Sequence, residues 1–146
     1  MNHVVLADDD LDHGILFKMI LEEVDPTKSL TIVKNGEELM DFLSKQVPDL
    51  LFLDLKMPCK DGLTCLNEIR NRLGLLHLPI VVYSQSTHHS DIRRSFYNQA
   101  DLYMVKPFNS FHLRNALETI LSFEWRKKYT ELPHYYMNNR FVPFTA

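Results

Sequence analysis

The sequence predicts a five-stranded parallel sheet with helices packed on both of its faces. Short β-branched or apolar runs alternate five times with longer stretches whose apolar residues recur every three or four positions. Glycine, proline and asparagine residues mark turns between these segments. With 146 residues, the chain has the length of one domain with one substantial core. Strand–helix units repeated in this way form parallel sheets through right-handed crossovers, so an α/β fold is expected.

The five strands are predicted where β-branched and apolar residues cluster. They cover residues 4–7, 30–33, 50–54, 80–84 and 102–106. The third run ends in Asp54 directly after Leu51, Phe52 and Leu53. Because a carboxylate taken out of water must be paired, hydrogen-bonded or bound to a metal, Asp54 indicates a compensating group or a chemical role at this strand end.

Helices are predicted after each strand, and turn residues separate them from the next one. The apolar faces comprise Leu11, Ile15 and Met19 with Leu16, Ile20 and Val24 in the first helix, Leu39, Leu43 and Val47 in the second, Leu63, Leu66, Ile69 and Leu73 in the third, and Leu113, Leu117, Ile120 and Leu121 in the fifth. The fourth helix, around Ile92 and Phe96, has few apolar residues and is expected to be more solvated. Turns are expected at Pro26, Asn35-Gly36, Asp61-Gly62, Gly74 and Pro79.

Composition and charge argue against several classes of protein. A net charge of −3 does not favour a broad nucleic-acid-binding surface. The start "MNHVVLADDD" does not resemble a secretory signal, and no apolar run approaches the roughly 20 residues that span a bilayer. Cys59 and Cys65 do not match common zinc spacings, so idle or buried thiols are expected. We therefore expect a cytoplasmic chain with no direct nucleic-acid binding and no membrane insertion.

Polar side chains stand at the carboxyl ends of four predicted strands. They are Asp8, Asp9 and Asp10 after strand one, Asp54 at the end of strand three, Ser84 at the end of strand four, and Lys106 at the end of strand five. Taken singly, each has a structural explanation, such as acids that favour the positive end of a helix or a solvated strand-end charge. Ligands of open α/β sheets bind outside the carboxyl ends of the strands, so together these residues predict a functional site.

The residue types at this edge favour metal-assisted phosphate chemistry. Crowded carboxylates repel one another unless a cation sits among them, and Mg²⁺ prefers oxygen ligands of this kind. A glycine-rich phosphate cradle is missing after strand one, where "ADDDLDH" stands. An aspartate such as Asp54 can act as the nucleophile towards phosphorus and form an acyl phosphate. Mg²⁺ and Lys106 would then neutralise the phosphoryl oxygens, and Ser84 would donate a hydrogen bond.

The motifs resemble the receiver domain of two-component response regulators, over residues 3 to about 122. The matching stretches are "VVLADDD", "FLDLKMPCKDGL", "PIVVYSQS" and "ADLYMVKPF". The 30-residue gap from Asp54 to Ser84 and the 22-residue gap from Ser84 to Lys106 are also similar to those of the family. The resemblance implies a flavodoxin-like, doubly wound sheet of five strands in the order 2-1-3-4-5 with five helices. Single-domain members associated with phytochrome-like kinases form one subgroup that the chain resembles.

The resemblance also implies a role for each residue of the site. Asp54 is similar to the phosphoacceptor. The magnesium ligands would be Asp9 directly, Asp8 chiefly through water, Asp54 itself and the backbone carbonyl of Lys56. Asp10 occupies a commonly acidic position with a less fixed role. Lys106 would contact the phosphoryl group, through a cis Lys106–Pro107 turn.

Ser84 and Tyr103 match the family's switch pair. After phosphorylation, the hydroxyl would move towards the phosphate and the ring would swing into the vacated space. The face formed by helix four, strand five and helix five would then change and control binding to a downstream protein target, which the sequence does not name. A sensor histidine kinase or a histidine phosphotransfer protein would donate the phosphoryl group, so the chain is expected to be a switch and not an enzyme.

Two other functions stay open from the sequence. A degenerate receiver would act as a constitutive interaction module, although four intact residues argue against it, namely Asp9, Asp54, Ser84 and Lys106. A phosphohydrolase with an aspartyl-phosphate intermediate would have a second aspartate two residues after the nucleophile, where this chain has Lys56.

Three positions depart from the family's pattern. Gln85 stands where a small residue is usual, so we expect narrower access to the phosphoryl group. Lys56 occupies a variable position that influences loss of the phosphoryl group, and we expect it to hold off water and lengthen the acyl-phosphate lifetime. Gln99 replaces a frequent glycine, and Asn98 is expected to supply the tight turn in its place.

The C-terminal part of the chain is rich in aromatic residues. We divide the chain into a receiver domain at 1–128 and an extension at 129–146 that is not a separate domain. Residues 125–128 are expected to form the exposed end of helix five, with a binding patch as the alternative. Tyr135, Tyr136, Phe141 and Phe144 are expected to pack on their own domain or on a partner subunit, or else to dock another protein, because disordered segments are generally poor in aromatic residues. Single-domain regulators associated with phytochrome-like kinases can carry extensions and dimerise, so the resemblance implies a homodimer through helix five and this extension as a hypothesis.

Overall fold

A parallel sheet of five strands, extended at one edge by a hairpin, forms the centre of the protein. The computed structural model describes residues 2–72, 74–107, 109–123, 125, 134–137 and 140–144. The strands are β1 (His3–Ala7), β2 (Ser29–Val33), β3 (Leu50–Leu53), β4 (Ile80–Ser84), β5 (Leu102–Val105), β6 (His134–Met137) and β7 (Arg140–Pro143). Their order is β2-β1-β3-β4-β5-β6-β7, so the predicted order of the first five is confirmed. The hairpin of β6 and β7 was not predicted as strands.

Five helices connect the strands, as predicted. They are α1 (Leu11–Val24), α2 (Gly36–Lys45), α3 (Gly62–Arg70), α4 (His89–Tyr97) and α5 (Ser110–Leu121). Four of them begin after an aspartate or asparagine whose side chain accepts a hydrogen bond from a backbone N–H of the first turn, namely Asp10, Asn35, Asp61 and Asn109. Among the helices of the described residues, none has the length and apolar character needed to cross a membrane.

The sheet separates two apolar cores. On one face, Val5, Leu51 and Val82 pack with α2, α3 and α4. On the other face, Val4, Leu6, Phe52 and Tyr83 pack with α1 and α5. The central strands β3 and β4 are buried along their whole length, as expected for parallel strands covered on both sides.

The apolar face predicted for α1 is only half buried. Phe17, Ile20 and Leu21 enter the core. Leu11, Ile15 and Met19 leave 66%, 51% and 53% of their surface exposed and form an apolar stripe along the helix, which we call the α1 stripe. Leu73, predicted on the apolar face of α3, lies outside the described residues.

The C-terminal hairpin covers the edge of the sheet that β5 would otherwise leave open. β6 runs parallel to β5, with Tyr103 opposite Tyr135, and β7 pairs with β6 in the antiparallel sense. On one face, the Phe144 ring stacks on His89 of α4. On the other face, Phe141 contacts Tyr136. The part of the aromatic tail that the structure describes therefore packs on its own sheet, one of the arrangements expected from the sequence.

Helix α5 ends at Leu121, whereas the sequence predicted that it continues to residue 128. The Ser122 N–H donates to the Thr119 carbonyl in a tight final turn, 3.1 Å away. Trp125 turns back onto the domain, and its Nε1–H donates to the Ile120 carbonyl at 3.2 Å. The prediction that Trp125 extends an exposed helix end is wrong, and residues 126–128 lie outside the described part of the chain.

The turn between α4 and β5 is made by Gln99 itself and not by Asn98. Gln99 has a φ of 70°, in the left-handed region that usually favours glycine, whereas Asn98 has a φ of −88°. Buried Arg70 holds this turn, because its Nε donates to the Gln99 carbonyl at 3.0 Å and its Nη2 donates to Asp101 at 2.9 Å. These bonds offset the strain that a non-glycine residue has in this conformation.

Both cysteines are free thiols, in agreement with the sequence-based expectation. Cys65 is buried in α3, and burial raises the pKa of its thiol to about 11. Cys59 is exposed in the loop after β3.

Candidate functional site

Three charged side chains from β1, β3 and β5 meet at one edge of the sheet. Asp8, Asp54 and Lys106 each follow the last residue of their strand. The Lys106 Nζ donates to Asp8 Oδ2 at 2.7 Å and to Asp54 Oδ2 at 3.0 Å. The relative exposures of the Lys106, Asp8 and Asp54 side chains are 6%, 0% and 8%. A buried ammonium thus links two carboxylates whose positions in the sequence lie far apart.

Strand register explains why these residues meet. Ala7 lies opposite Leu53 in the ladder of β1 and β3, so the residues that follow them are neighbours. The ladder continues beyond the strands, because the Asp54 N–H donates to the Ala7 carbonyl at 2.9 Å and the Lys106 N–H donates to the Ser84 carbonyl at 2.8 Å. The pairing of the strands therefore determines where the backbone of each site residue lies.

The loop after β3 is folded tightly against the backbone of Asp54. The Gly62 N–H donates to the Leu55 carbonyl at 2.9 Å. A Cβ at position 62 would lie 2.1 Å from the Asp54 carbonyl oxygen, so only glycine permits this close approach. The first turn of α3 thereby fixes the direction in which Asp54 leaves the strand.

Burial and charge act in opposite directions on Asp54. Desolvation raises the pKa of its carboxyl, and Lys106 opposes this through its charge and its hydrogen bond. The negative charge of Asp8 adds to the increase. The pKa of Asp54 lies above its ordinary value on balance, so a further cation would favour the ionised form.

The acidic residues can supply such a cation with ligands. Asp8, Asp9 and Asp54 each offer a carboxylate oxygen, and these atoms lie within 4.8 Å of one another. The second oxygen of Asp8 accepts the Asp10 N–H at 2.9 Å, and Asp54 Oδ1 accepts the Lys56 N–H at 3.2 Å. Three clustered carboxylate oxygens fit a hard divalent ion such as Mg²⁺ or Mn²⁺.

A cavity of about 160 Å³ lies above these side chains. Its lining comprises Asp9, Asp10, His13, Asp54, Lys56, Ser84, Gln85, Ser86 and Lys106. Asp9, Lys56 and Gln85 are exposed, so they stand at its rim, whereas Asp54 and Lys106 form its buried floor. Gln85 lies at this rim, and its narrowing of access to the phosphoryl group stays a prediction.

Ser84 and Tyr103 are linked through the loop after β4. The Ser84 hydroxyl accepts the Ser86 N–H at 3.1 Å, and the Tyr103 hydroxyl donates to the Ser86 carbonyl at 2.8 Å. The ring of Tyr103 is fully buried, and burial raises the pKa of its hydroxyl. Tyr103 thus lies buried beside this loop, and the movement expected of it on phosphorylation stays a prediction.

The expected cis peptide bond before Pro107 is not found. The described peptide bonds are all trans, including the one between Lys106 and Pro107. Trans is the intrinsically favoured isomer, by roughly 0.5–1 kcal/mol for a bond before proline. The Lys106 side chain reaches Asp54 from this trans backbone, so the prediction of a cis turn is wrong.

Two residues of the site were missed by the sequence analysis. The His13 Nδ1 lies 3.0 Å from the Lys106 Nζ, and the Tyr83 ring lies below the same ammonium, 5.3 Å away at its centroid. The motif "DDDLDH" offered a weak signal for His13, because it lies three positions after Asp10, about one helical turn away. Its contact with Lys106 spans 93 positions and has no local signal.

Comparisons with known proteins agree with the geometry. A family model of the response regulator receiver domain matches residues 4–118. Response regulator Rcp1 of Synechocystis is 29% identical over 127 residues, which cover 82% of this chain and 86% of Rcp1. The probable C4-dicarboxylate response regulator DctR of Bacillus subtilis is 34% identical over 79% of this chain, which spans only 50% of DctR.

Solved structures lead to the same family. A Mn²⁺-bound form of Rcp1 superposes with a TM-score of 0.76 at 27% identity and covers 88% of this chain and 97% of Rcp1. The phosphorylated cyanobacterial phytochrome response regulator RcpA has a TM-score of 0.79 at 28% identity, over 86% of this chain and 94% of RcpA. Given the matched sheet, the acid cluster and the lysine that bridges it, this chain belongs to the response regulator receiver domain family.

Proposed function

We propose that this chain is a phosphorylation-dependent switch that accepts a phosphoryl group on Asp54 with the help of Mg²⁺. The observation that carries the proposal is the bond of the Lys106 ammonium to Asp54 beside the clustered oxygens of Asp8 and Asp9. A receiver domain needs an aspartate nucleophile, a cation site and a charge for the phosphoryl oxygens in one place. The residues of this site would supply all three. They support a role as a signalling switch that is itself phosphorylated, and not as an enzyme that turns over a separate substrate.

The residues divide the chemistry among them. One carboxylate oxygen of Asp54 forms a bond to phosphorus while the phosphorus–nitrogen bond of a donor phosphohistidine breaks, and the leaving imidazole regains a proton. Asp8, Asp9, Asp54 and the Lys56 carbonyl would hold Mg²⁺, which supplies positive charge against the phosphoryl oxygens. Lys106 is close enough to exchange its bond to Asp54 for one to a phosphoryl oxygen. Ser84 lines the same cavity. Its hydroxyl would donate a hydrogen bond to a second phosphoryl oxygen.

Ser84 and Tyr103 would carry the signal away from the phosphoryl group. The Ser84 hydroxyl must give up its bond from the Ser86 N–H to turn towards the phosphate. Tyr103 is tied to the carbonyl of the same Ser86, so this loop would move with both side chains. The face of α4, β5 and α5 would follow, since Tyr103 lies on β5. An unidentified downstream protein would bind the altered face.

The donor would be a sensor histidine kinase or a histidine phosphotransfer protein. The α1 stripe offers it a contact surface, because Leu11 directly follows Asp10 on the cavity wall and Ile15 and Met19 continue the same helix face. Exposed apolar residues in a contiguous row beside a reactive group are typical of interaction surfaces. The free thiols of Cys59 and Cys65 fit the reducing cytoplasm, where we place the chain.

The C-terminal extension lies against β5, which belongs to the face of α4, β5 and α5 that we propose to change on phosphorylation. We retain residues 129–146 as an extension of the receiver domain at 1–128, a view that β6 and β7 support by adding to the same sheet. Strands β6 and β7 cover the β5 edge. A homodimer through α5 and this extension would therefore have to contact the hairpin or displace it. Sedimentation of the full chain against a chain truncated after Lys128 tests the dimer, and equal monomer masses would contradict it.

Incubation with acetyl phosphate and Mg²⁺ tests the proposed function directly. Intact-protein mass spectrometry should detect one added phosphoryl group, and the Asp54→Asn variant, which keeps the shape of the side chain, should remain unlabelled. Continuous release of inorganic phosphate at many turnovers would instead indicate a phosphohydrolase. Failure of the folded chain to take up any label would indicate a constitutive interaction module.

A further inference from the structure

The ammonium of Lys106 has three hydrogen-bond partners, and the third is a histidine. Beside Asp8 and Asp54, the Nδ1 of His13 lies 3.0 Å from the Lys106 Nζ. An ammonium has three protons, so these three acceptors use its full donor capacity. An imidazole that accepts at Nδ1 is neutral and carries its proton on Nε2.

The position of His13 is fixed by the start of α1. The His13 N–H donates to the carboxylate of Asp10, the residue that caps this helix, at 3.0 Å. The ring is half-buried in the cavity wall, and its Nε2 points towards the same carboxylate, 3.7 Å away. The backbone of His13 is therefore fixed by the cap of α1, independently of Lys106.

We propose that His13 is a positioning residue, which holds the Lys106 ammonium where a transferring phosphoryl group arrives. The proposal rests on the function proposed above. A lysine ammonium on a flexible four-carbon chain is a poorly directed charge unless its protons are fixed by neighbours. When Asp54 becomes phosphorylated, its bond to Lys106 must be exchanged, and His13 and Asp8 are then the two contacts that retain the ammonium.

A neutral acceptor suits this place better than another acid. Asp8, Asp9 and Asp54 already crowd the site with negative charge. A fourth carboxylate at position 13 would repel the incoming phosphoryl oxygens, whereas a neutral imidazole fixes Lys106 without adding charge. Fixing a catalytic charge in advance lowers the entropy that is lost on reaching the transition state.

Three substitutions at one position separate this role from a structural one. His13→Asn keeps an acceptor close to the place of Nδ1, His13→Gln moves the acceptor towards the place of Nε2, and His13→Leu removes it. The initial rate of acyl-phosphate formation is measured with acetyl phosphate at saturating Mg²⁺. Mg²⁺ affinity is measured by calorimetry and folding by thermal denaturation. Acetyl phosphate is used as the donor because it does not bind through a protein interface. A change in rate therefore reports on the site and not on docking of a kinase.

We expect His13→Leu to lower the initial rate about tenfold, the effect of one hydrogen bond to a charged group at a half-exposed position. His13→Asn should recover most of the rate and His13→Gln little of it, with Mg²⁺ affinity preserved in all three. A wild-type rate in His13→Leu would overturn the proposal. So would equal losses in all three variants with weakened Mg²⁺ binding, because His13 would then act as a cation ligand.

Imidazole ¹⁵N spectra give a second, independent measurement that does not depend on the reaction. Nδ1 of His13 should be unprotonated and Nε2 protonated, and this preference should weaken in Lys106→Met. A protonated Nδ1 in the wild-type chain would overturn the proposal. If the wild-type chain is never phosphorylated, the proposed function fails. If the wild-type chain is phosphorylated and the His13→Leu variant is phosphorylated at the same rate, only the role of His13 is contradicted.

Discussion

Replacing Lys106 with methionine should move three measurable properties in different directions. Methionine keeps much of the apolar stem and removes the ammonium that donates to Asp8 at 2.7 Å and to Asp54 at 3.0 Å. Because all three side chains are buried, the two carboxylates lose their counter-charge without gaining water. Breaking a buried ion pair in this way destabilises a fold by about 3–5 kcal/mol, which corresponds to a fall in Tm of roughly 10 °C.

The same substitution should strengthen the binding of Mg²⁺. Two unit charges 4 Å apart interact by about 4 kcal/mol at an effective dielectric constant of about 20, so the ammonium opposes a cation among the acids by an energy of that order. Solvent at the exposed Asp9 reduces this figure, and we expect affinity to rise by about tenfold. Saturating Mg²⁺ should accordingly restore much of the lost Tm.

The initial rate of phosphorylation by acetyl phosphate should fall by about 10²–10³-fold, the usual effect of removing one group that stabilises transition-state charge. The loss of stability should also depend on pH. Burial raises the pKa of Asp54 and Lys106 opposes the increase, so without Lys106 the folded pKa rises further. The loss of unfolding free energy in Lys106→Met should therefore be small near a pH of about 3.9, the pKa of an aspartate in the unfolded chain. It should grow as pH rises towards the higher pKa that Asp54 has in the folded variant. Weaker Mg²⁺ binding together with a lower rate would refute this account of Lys106.

Three further predictions concern the rim, the α4–β5 turn and the hairpin. Lys56→Asn and Gln85→Ala should each shorten the acyl-phosphate lifetime severalfold, about 1 kcal/mol, as followed by loss of label after the donor is removed. Gln99→Gly should raise the free energy of unfolding by about 1 kcal/mol in urea titrations, because it relieves a left-handed backbone. The fluorescence of Trp125, the single tryptophan, should change on phosphorylation and stay constant in Asp54→Asn.

The rim prediction has a contradicting outcome, and the other two each have a matched control variant within the chain. Unchanged lifetimes in both rim variants would remove the barrier that we assign to them. Asn98→Gly should lower stability, because its φ of −88° gives glycine no advantage, and a gain there would contradict the assignment of the turn to Gln99. Phe141→Ala should weaken the Trp125 response, since both side chains pack in the same core. A full response in that variant would show that Trp125 does not sense the hairpin.

Regular patterns in the sequence were enough to predict the five parallel strands, their helices and the acidic edge. Strand ends in a parallel sheet share an edge whatever the residues between them, so Asp8, Asp54 and Lys106 could be placed together from spacing alone. His13 and Tyr83 were missed because their contacts with Lys106 depend on side-chain direction across the sheet. Periodicity contains no such information.

The errors at the C-terminal end have a different origin. The sequence HYYM at β6 is short and aromatic, and nothing local distinguishes a strand from an aromatic tail. It becomes a strand because β5 offers a free row of backbone donors and acceptors. The turn before β5 was assigned to Asn98 and not to Gln99 for a similar reason, since buried Arg70 in α3 holds Gln99 in a conformation that the residue itself does not favour.

The hairpin has a consequence for solubility. An unprotected β5 would present unpaired backbone groups of Tyr103 and Met104 to any other extended chain, and open strand edges of this kind initiate aggregation. With β6 and β7 in place, the outermost strand carries Arg140 at one end and Pro143 at the other. Charge and proline at an edge both discourage addition of another strand. Removing the hairpin should therefore leave a protein that aggregates slowly on storage without forming a defined dimer, even where its phosphorylation chemistry survives.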